Sequence, residues 1–321
     1  MSTEPSVPTI KKTSKSAGPK SIIAIGGGKG GIGKSFISTT LGITISQLGH
    51  SVVLVDLDLG AANVHTCLGA VIPELGVSDF ISGRVDQLAS VVAPTPFQRL
   101  NFISGSNDAL NVASLNSSAQ DRLIDELKKI NTDFLILDLG AGTSNGILDF
   151  FLMADRKIVA MTPEPVSIEN AYRFVKSAFY RNWMRLEGEL QIQNLIEDAM
   201  DQKNRLGIRT PSDLVYHVKK VNPLAGQRLV QAVEEFNLDI VVNQIRTRTD
   251  VDLGYSIASV CNKYFGIDAN YLGYLDHDNA VWQSLRKRKP LILEHPHSRL
   301  VAQFMSIAKT LVHRQTKKAV I

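Results

Sequence analysis

Gly28-Lys29-Gly30-Gly31-Ile32-Gly33-Lys34-Ser35 decides how this chain is read. The stretch follows an apolar run, Ser21 to Gly27, and precedes Ile37, Leu41, Ile45 and Leu48, which recur at helical spacing and are closed by Gly49. It satisfies G-x-x-x-x-G-K-[ST] in the strand-to-helix context that gives the pattern its meaning. The glycines let backbone N–H groups turn inward around phosphates, and the helix N-terminus adds its positive dipole end. Lys34 is expected to reach the β- and γ-phosphates of a nucleotide, and the Ser35 hydroxyl to ligate Mg²⁺. Gly28, Lys29, Gly30, Gly31, Ile32, Gly33, Lys34, Ser35 and Phe36 are thus the expected nucleotide contacts on this loop.

Further short apolar runs lie at Ser51 to Val55, Leu100 to Ser104, Asp133 to Leu137, Lys157 to Met161, Leu238 to Val242 and Asn270 to Tyr274. They are continuous rather than alternating, as parallel strands covered on both faces should be. Helical patterns separate them, which predicts an α/β fold with a doubly wound, mostly parallel sheet and helices on both faces. Pro163 to Asn237, between the fifth and sixth runs, is longer than a simple crossover needs. A helical insertion at about residues 181–236 is expected there, serving extra packing or partner docking. Thr210, Pro211 and Asp213 supply an N-cap, an N1 proline and an N3 acid for one of its helices.

Three carboxylates stand at strand ends. Val52-Val53-Leu54-Val55-Asp56-Leu57-Asp58 places two of them two residues apart, both on the side facing the phosphate loop. Phosphoryl transfer to water needs an acceptor that orients the attacking molecule. Asp138 ends the run Phe134 to Leu137 and is followed by Gly140-Ala141-Gly142, a carboxylate that would hold Mg²⁺ through water beside a glycine-hinged loop. Asn243 ends the run at Leu238 to Val242, where its amide would pair with adenine or satisfy nearby backbone.

The pattern K-G-G-x-G-K-S, with Lys29 ahead of Lys34, resembles the deviant phosphate loop of the MinD/ParA family of P-loop ATPases, and the resemblance extends from Ser21 to Val312. It implies that Lys29 crosses to the partner's nucleotide in an ATP-sandwich homodimer. It also implies that Asp58 holds the attacking water, that Asp56 supports it or the Mg²⁺ shell, and that Lys29, Asp58 and Lys34 form the catalytic set. The metal set is then Ser35, Asp56 and Asp138. Guanine-specific relatives read N-K-x-D at the position of Asn243; here Arg246 stands in place of the Asp, which favours ATP. Leu272-Gly273-Tyr274-Leu275-Asp276 resembles the family's last nucleotide-side loop, with Asp276 as its ATP contact, although Tyr274 and Leu275 depart from the usual I-P.

Asp58-Leu59-Gly60-Ala61-Ala62-Asn63-Val64-His65 and Thr162-Pro163-Glu164-Pro165-Val166-Ser167-Ile168 look most like the FlhG (FleN, YlxH) branch. That likeness implies a slow, regulatory ATP hydrolase controlling the number or position of a cellular structure, flagella first. Its partner would be an FlhF-like GTPase or a polar factor. The alternative is a ParA-like partition ATPase that binds DNA non-specifically, although the D-x-D-P-Q common in that branch is absent. A small-molecule kinase with the same loop would need a second acid or base cluster. An iron–sulfur carrier would need paired thiolates, and the chain has only Cys67 and Cys261.

With 44% hydrophobic and 21% charged residues the chain has globular composition. Its formal +4 resides at the ends: Lys11, Lys12, Lys15 and Lys20 against Glu4 in the first twenty residues, and Arg314, Lys317 and Lys318 in the last nine. The body is therefore slightly acidic. Residues 1–20 are expected to form a disordered basic tail, 21–312 the ATPase domain and 313–321 a short basic tail. No apolar signal segment opens the sequence and two distant cysteines suggest no disulfide framework, so a cytoplasmic protein is expected, with peripheral contact at the inner membrane face or a cell pole left open. Ser298 to Val312 carries Leu300, Val301, Phe304, Ile307, Ala308 and Leu311 on one stripe, read as a last helix packed on the sheet rather than a membrane anchor. Arg286-Lys287-Arg288-Lys289 is either a weak phosphate-binding patch for DNA or a solvated helix end.

Overall fold

Strands buried on both faces must divide their side chains between two cores, and this chain does so in register. In a computed structural model describing residues 18–105, 116–185, 208 and 210–318, β1 (Ser21–Gly26) sends Ile22 and Ala24 into one core and Ile23 and Ile25 into the other. The strand β5 (Phe134–Leu139) does the same, with Leu135, Leu137 and Leu139 against Phe134 and Ile136.

The remaining strands are β2 (Val52–Leu57), β3 (Ala93–Pro94), β4 (Leu100–Ile103), β6 (Arg156–Met161), β7 (Leu238–Ile245) and β8 (Ala269–Asp276). They form one sheet in the order β3-β4-β2-β5-β1-β6-β7-β8. All neighbours are parallel except β3, where Ala93 and Pro94 run antiparallel to Phe102 and Asn101 at the edge. The doubly wound, mostly parallel fold is as expected, and the seven apolar runs are its seven parallel strands. The edge strand β3 is additional: two residues, one of them a proline, offer no periodicity to read.

On the first core lie α3 (Val77–Ile81), α4 (Ser117–Leu127), α5 (Asn145–Leu152), α6 (Pro165–Met184), α7 (Pro211–Val221), α8 (Pro223–Glu234) and α9 (Arg248–Phe265). The second is covered by α1 (Lys34–Gln47), α2 (Val64–Leu68), α10 (Asn279–Arg286), α11 (Leu291–Glu294) and α12 (Arg299–Lys318). The expected insertion falls between β6 and β7. Its described part comprises the end of α6, α7 and α8, and residues 186–207 and 209 of it lie outside the described residues. Within it, Thr210 and Asp213 form the reciprocal cap that starts α7. Trp183 is fully buried and packs on Phe179 at 4.6 Å between ring centroids, so α6 belongs to the main core as far as its last turn.

The stripe on α12 is consumed by packing: Leu300, Phe304, Ile307, Ala308 and Leu311 are buried in the second core, with Phe304 edge-on to Phe36. The helix runs to Lys318, past the point where a tail was expected. Lys20, read as part of the leading tail, is tied to Asp133 at 2.6 Å. No helix among the described residues is long and apolar enough to cross a membrane. Because the strands are parallel, the C-terminal ends of β1, β2, β5, β7 and β8 open on one edge, where ligands bind in such sheets.

Candidate functional site

At that edge β1 ends at Gly26 and the chain turns through residues 27–33 into α1. Two glycines are dictated by geometry. Gly33 caps α1 at φ 92°, a left-handed conformation, and a Cβ there would lie 2.5 Å from the Asn243 amide nitrogen. At Gly28 a Cβ would lie 2.1 Å from the Asn170 carbonyl oxygen, so α6 braces the loop from behind.

The two lysines part company. Lys34 is buried, its Nζ donates to the Lys29 carbonyl at 3.4 Å, and its pKa is lowered by burial against the opposing pull of Asp138 and Asp58. The Lys29 side chain, in contrast, is exposed on the rim of the loop with Gly30 and Gly31.

Asp56 and Asp138 are register partners on adjacent strands, which places the two carboxylates side by side. Burial and the neighbouring Asp138 raise Asp56 to about 7, and burial raises Asp138 to about 6. Asp56 accepts the backbone N–H groups of Asp58 and Val64, each at 3.1 Å, so it also shapes the turn after β2 and caps α2. Asp138 accepts Ser38 Oγ at 2.8 Å, and the neighbouring Ser35 hydroxyl helps hold its pKa down against burial, while its Oδ2 is buried without a partner. An orphaned carboxylate oxygen beside a second carboxylate and a serine hydroxyl fits a hydrated Mg²⁺. Asp58 is half-buried, and a Cβ on Gly140 would lie 3.3 Å from its Oδ1, so the water-orienting candidate lies beside the glycine-hinged loop.

Asn243 is drawn to the phosphate loop itself: its Nδ2 donates to the Ile32 carbonyl at 2.8 Å. The backbone-satisfying role is therefore made directly. Asp276 ends β8, where it pairs with Arg299 at 3.2 Å and lines a cleft of about 960 Å³ with Arg246, Thr247, Tyr274 and His277. Leu275, one of the two departures from the family loop, points into the core at 0% exposure.

Ser38 and the network around Asp149 were not legible. Arg181, in the last turn of α6, reaches Asp149 of α5 with two bonds of 2.9 and 2.8 Å, and Gln120 of α4 adds a third at 3.0 Å. All three residues line a cleft of about 690 Å³ that opens on Asp58 and Gly140. The only signal for Ser38 is its position one turn after Ser35 on the helix that faces β5. Cys67 and Cys261 are distant from each other in sequence, and burial pushes their thiols up to about 12 and about 11, against use as thiolate ligands.

A family profile for ParA, described as NUBPL iron-transfer P-loop NTPase, matches residues 18–197. The antiactivator FleN of Pseudomonas aeruginosa is 30% identical over 159 residues, which cover 49% of this chain and 56% of FleN. The septum site-determining protein MinD of Bacillus subtilis is 30% identical over 156 residues, 48% of this chain and 57% of that protein. The chain thus matches little more than half the length of these relatives. MinD of Pyrococcus horikoshii, solved with Mg-ADP, superposes with a TM-score of 0.62 at 19% identity, covering 91% of this chain and 95% of that one.

Proposed function

We propose that this chain, which belongs to the ParA/MinD family of P-loop NTPases, is an ATP-dependent switch that dimerises around ATP and is released by slow hydrolysis. The observation that carries this reading is the division between the loop's two lysines: Lys34 is buried and turned inward, and Lys29 is exposed on the rim. A rim cation that its own site does not use is suited to a nucleotide held by a second copy of the chain.

In this account the backbone of residues 28–35 and Lys34 bind the phosphates, and Ser35, Asp138 and the Asp56 side hold the cation. Bound Mg²⁺ would supply neutralising charge for the phosphate oxygens. Asp58 accepts a hydrogen bond from the attacking water and aims it at the γ-phosphate, and its place beside Gly140 lets the loop sense whether that phosphate is present. Asn243 and Asp276 flank the base, and Arg246, where guanine-binding relatives carry an acid, favours ATP. Likeness to FleN, an antiactivator, makes control of flagella the first cellular role to test, and DNA partition the second.

Binding of fluorescent Mg-ATP and Mg-GTP together with phosphate release tests the chemistry. Lys34→Ala should abolish binding. Asp58→Ala should bind ATP normally and hydrolyse it about a hundredfold more slowly, the usual loss for a positioned acceptor. Wild-type hydrolysis by Asp58→Ala, or equal affinity for GTP, would overturn the assignment.

A further inference from the structure

Asp149 is buried on α5, and three helices meet at its carboxylate. Arg181, in the last turn of α6, sends Nε to Oδ1 at 2.9 Å and Nη2 to Oδ2 at 2.8 Å, and Gln120 of α4 donates Nε2 to Oδ2 at 3.0 Å. The other end of the Gln120 amide faces the first turn of α5, where a Cβ on Gly146 would lie 3.3 Å from its Oε1. The next residue, Ile147, reaches the glycine-hinged loop. A Cβ on Gly140 would lie 3.6 Å from Ile147 Cδ1 and 3.3 Å from Asp58 Oδ1. Residues 140–144 run directly into α5, so a shift of that helix along its axis is passed to the loop by the chain itself. Leu148, Phe150 and Phe151 press α5 into the first core, but apolar contacts are non-directional and tolerate a small slide. The two parallel bonds of a guanidinium on a carboxylate do not.

We propose that Arg181 is a positioning residue for ATP hydrolysis: by gripping Asp149 it fixes the start of α5, and so holds Gly140 and its loop in place beside Asp58. The proposal rests on the reading of Asp58 as the residue that orients the attacking water. Arg181 itself acts only through Asp149 and has no part in the phosphate or cation contacts. Its loss should therefore appear in turnover and spare ATP binding, because the phosphate loop is braced separately, by Asn170 against Gly28. A misplacement of about 1 Å at the reacting groups costs about a hundredfold in rate. With the apolar face of α5 still packed, Arg181→Ala should lower kcat about ten- to a hundredfold.

Phosphate release at saturating Mg-ATP and binding of fluorescent Mg-ATP are measured on the full chain for Arg181→Ala, Arg181→Lys, Asp149→Asn and Asp58→Ala. The temperature is one at which circular dichroism shows the variants folded. Arg181→Ala should bind ATP as wild type does and turn it over more slowly, the signature of an interaction that matters to the chemical step alone. Arg181→Lys should recover part of the rate, since an ammonium keeps the charge but not the fork. Asp149→Asn should also be slow, and adding Arg181→Ala to it should slow it little further, because the two act as one unit. Wild-type turnover per folded Arg181→Ala molecule, a loss of ATP affinity in proportion to turnover, or independent losses in the double variant would each overturn the proposal. Where Arg181→Ala does not fold, Arg181→Lys and Asp149→Asn decide, and wild-type turnover by both overturns it. Wild-type hydrolysis by Asp58→Ala would remove the reading beneath the proposal, whereas a slow Asp58→Ala beside fast Arg181 variants would overturn the positioning role alone.

Discussion

Asp138→Asn should make the nucleotide-free protein more stable while removing the stabilisation that Mg²⁺-nucleotide confers. The ionised Asp138 carboxylate is buried beside Asp56, and its rise from 3.8 to about 6 corresponds to roughly 3 kcal/mol against the charged form. Asparagine keeps an Oδ1 to accept Ser38, but its NH₂ replaces an Oδ2 that has no partner, which costs about 1–2 kcal/mol. The net gain is about 1–2 kcal/mol at pH 8, or a Tm higher by about 1.5–3 °C for a chain of this size. The sign with pH follows from the raised value. Between the ordinary 3.8 and about 6 the folded chain holds a proton that the unfolded chain releases, so this contribution is present at low pH and lost as pH rises through about 6. Wild type should therefore lose stability over that interval more steeply than the variant, with Asp56 contributing to both. Thermal unfolding followed by circular dichroism in EDTA, then with Mg²⁺ and ADP, reads both effects. A variant less stable than wild type at pH 8 in EDTA, or one stabilised by Mg-ADP as strongly as wild type, would refute the reasoning.

Three further substitutions probe the braces of the site. Gly28→Ala drives a methyl to 2.1 Å from the Asn170 carbonyl and should cost about 1–3 kcal/mol and most of the ATP affinity, read by denaturant titration and by nucleotide fluorescence. Asn243→Asp removes the donor to the Ile32 carbonyl and should weaken ATP binding about tenfold or more, from about 1–3 kcal/mol for a stranded buried acceptor, with Asn243→Ala milder because it buries no new charge. Arg181→Ala leaves Asp149 with only Gln120 and should cost about 1–3 kcal/mol; Arg181→Lys should recover only part in urea unfolding, because an ammonium cannot make the two-pronged contact.

The phosphate loop and the three carboxylates were legible because each sits at the C-terminal end of an apolar run, where burial leaves a charged residue few purposes other than a site. The two-core architecture was legible for the same reason: runs such as Phe134 to Leu137 have no polar face to show to water. What escaped reading depends on contacts between segments distant in sequence. Ser38 meets Asp138 across 100 positions and Asn243 meets Ile32 across 211. No local pattern of spacing encodes either. Arg181 and Asp149 each look like an ordinary charge on an amphipathic helix until α5 and α6 are packed together.

Light scattering of purified Asp58→Ala with Mg²⁺ and ATP, beside a Lys29→Ala/Asp58→Ala double variant, tests the switch most directly. The account predicts the mass of a dimer for Asp58→Ala with ATP, of a monomer with ADP or no nucleotide, and of a monomer for the double variant throughout. A monomer for Asp58→Ala under saturating ATP, or a dimer that survives the loss of Lys29, would contradict it.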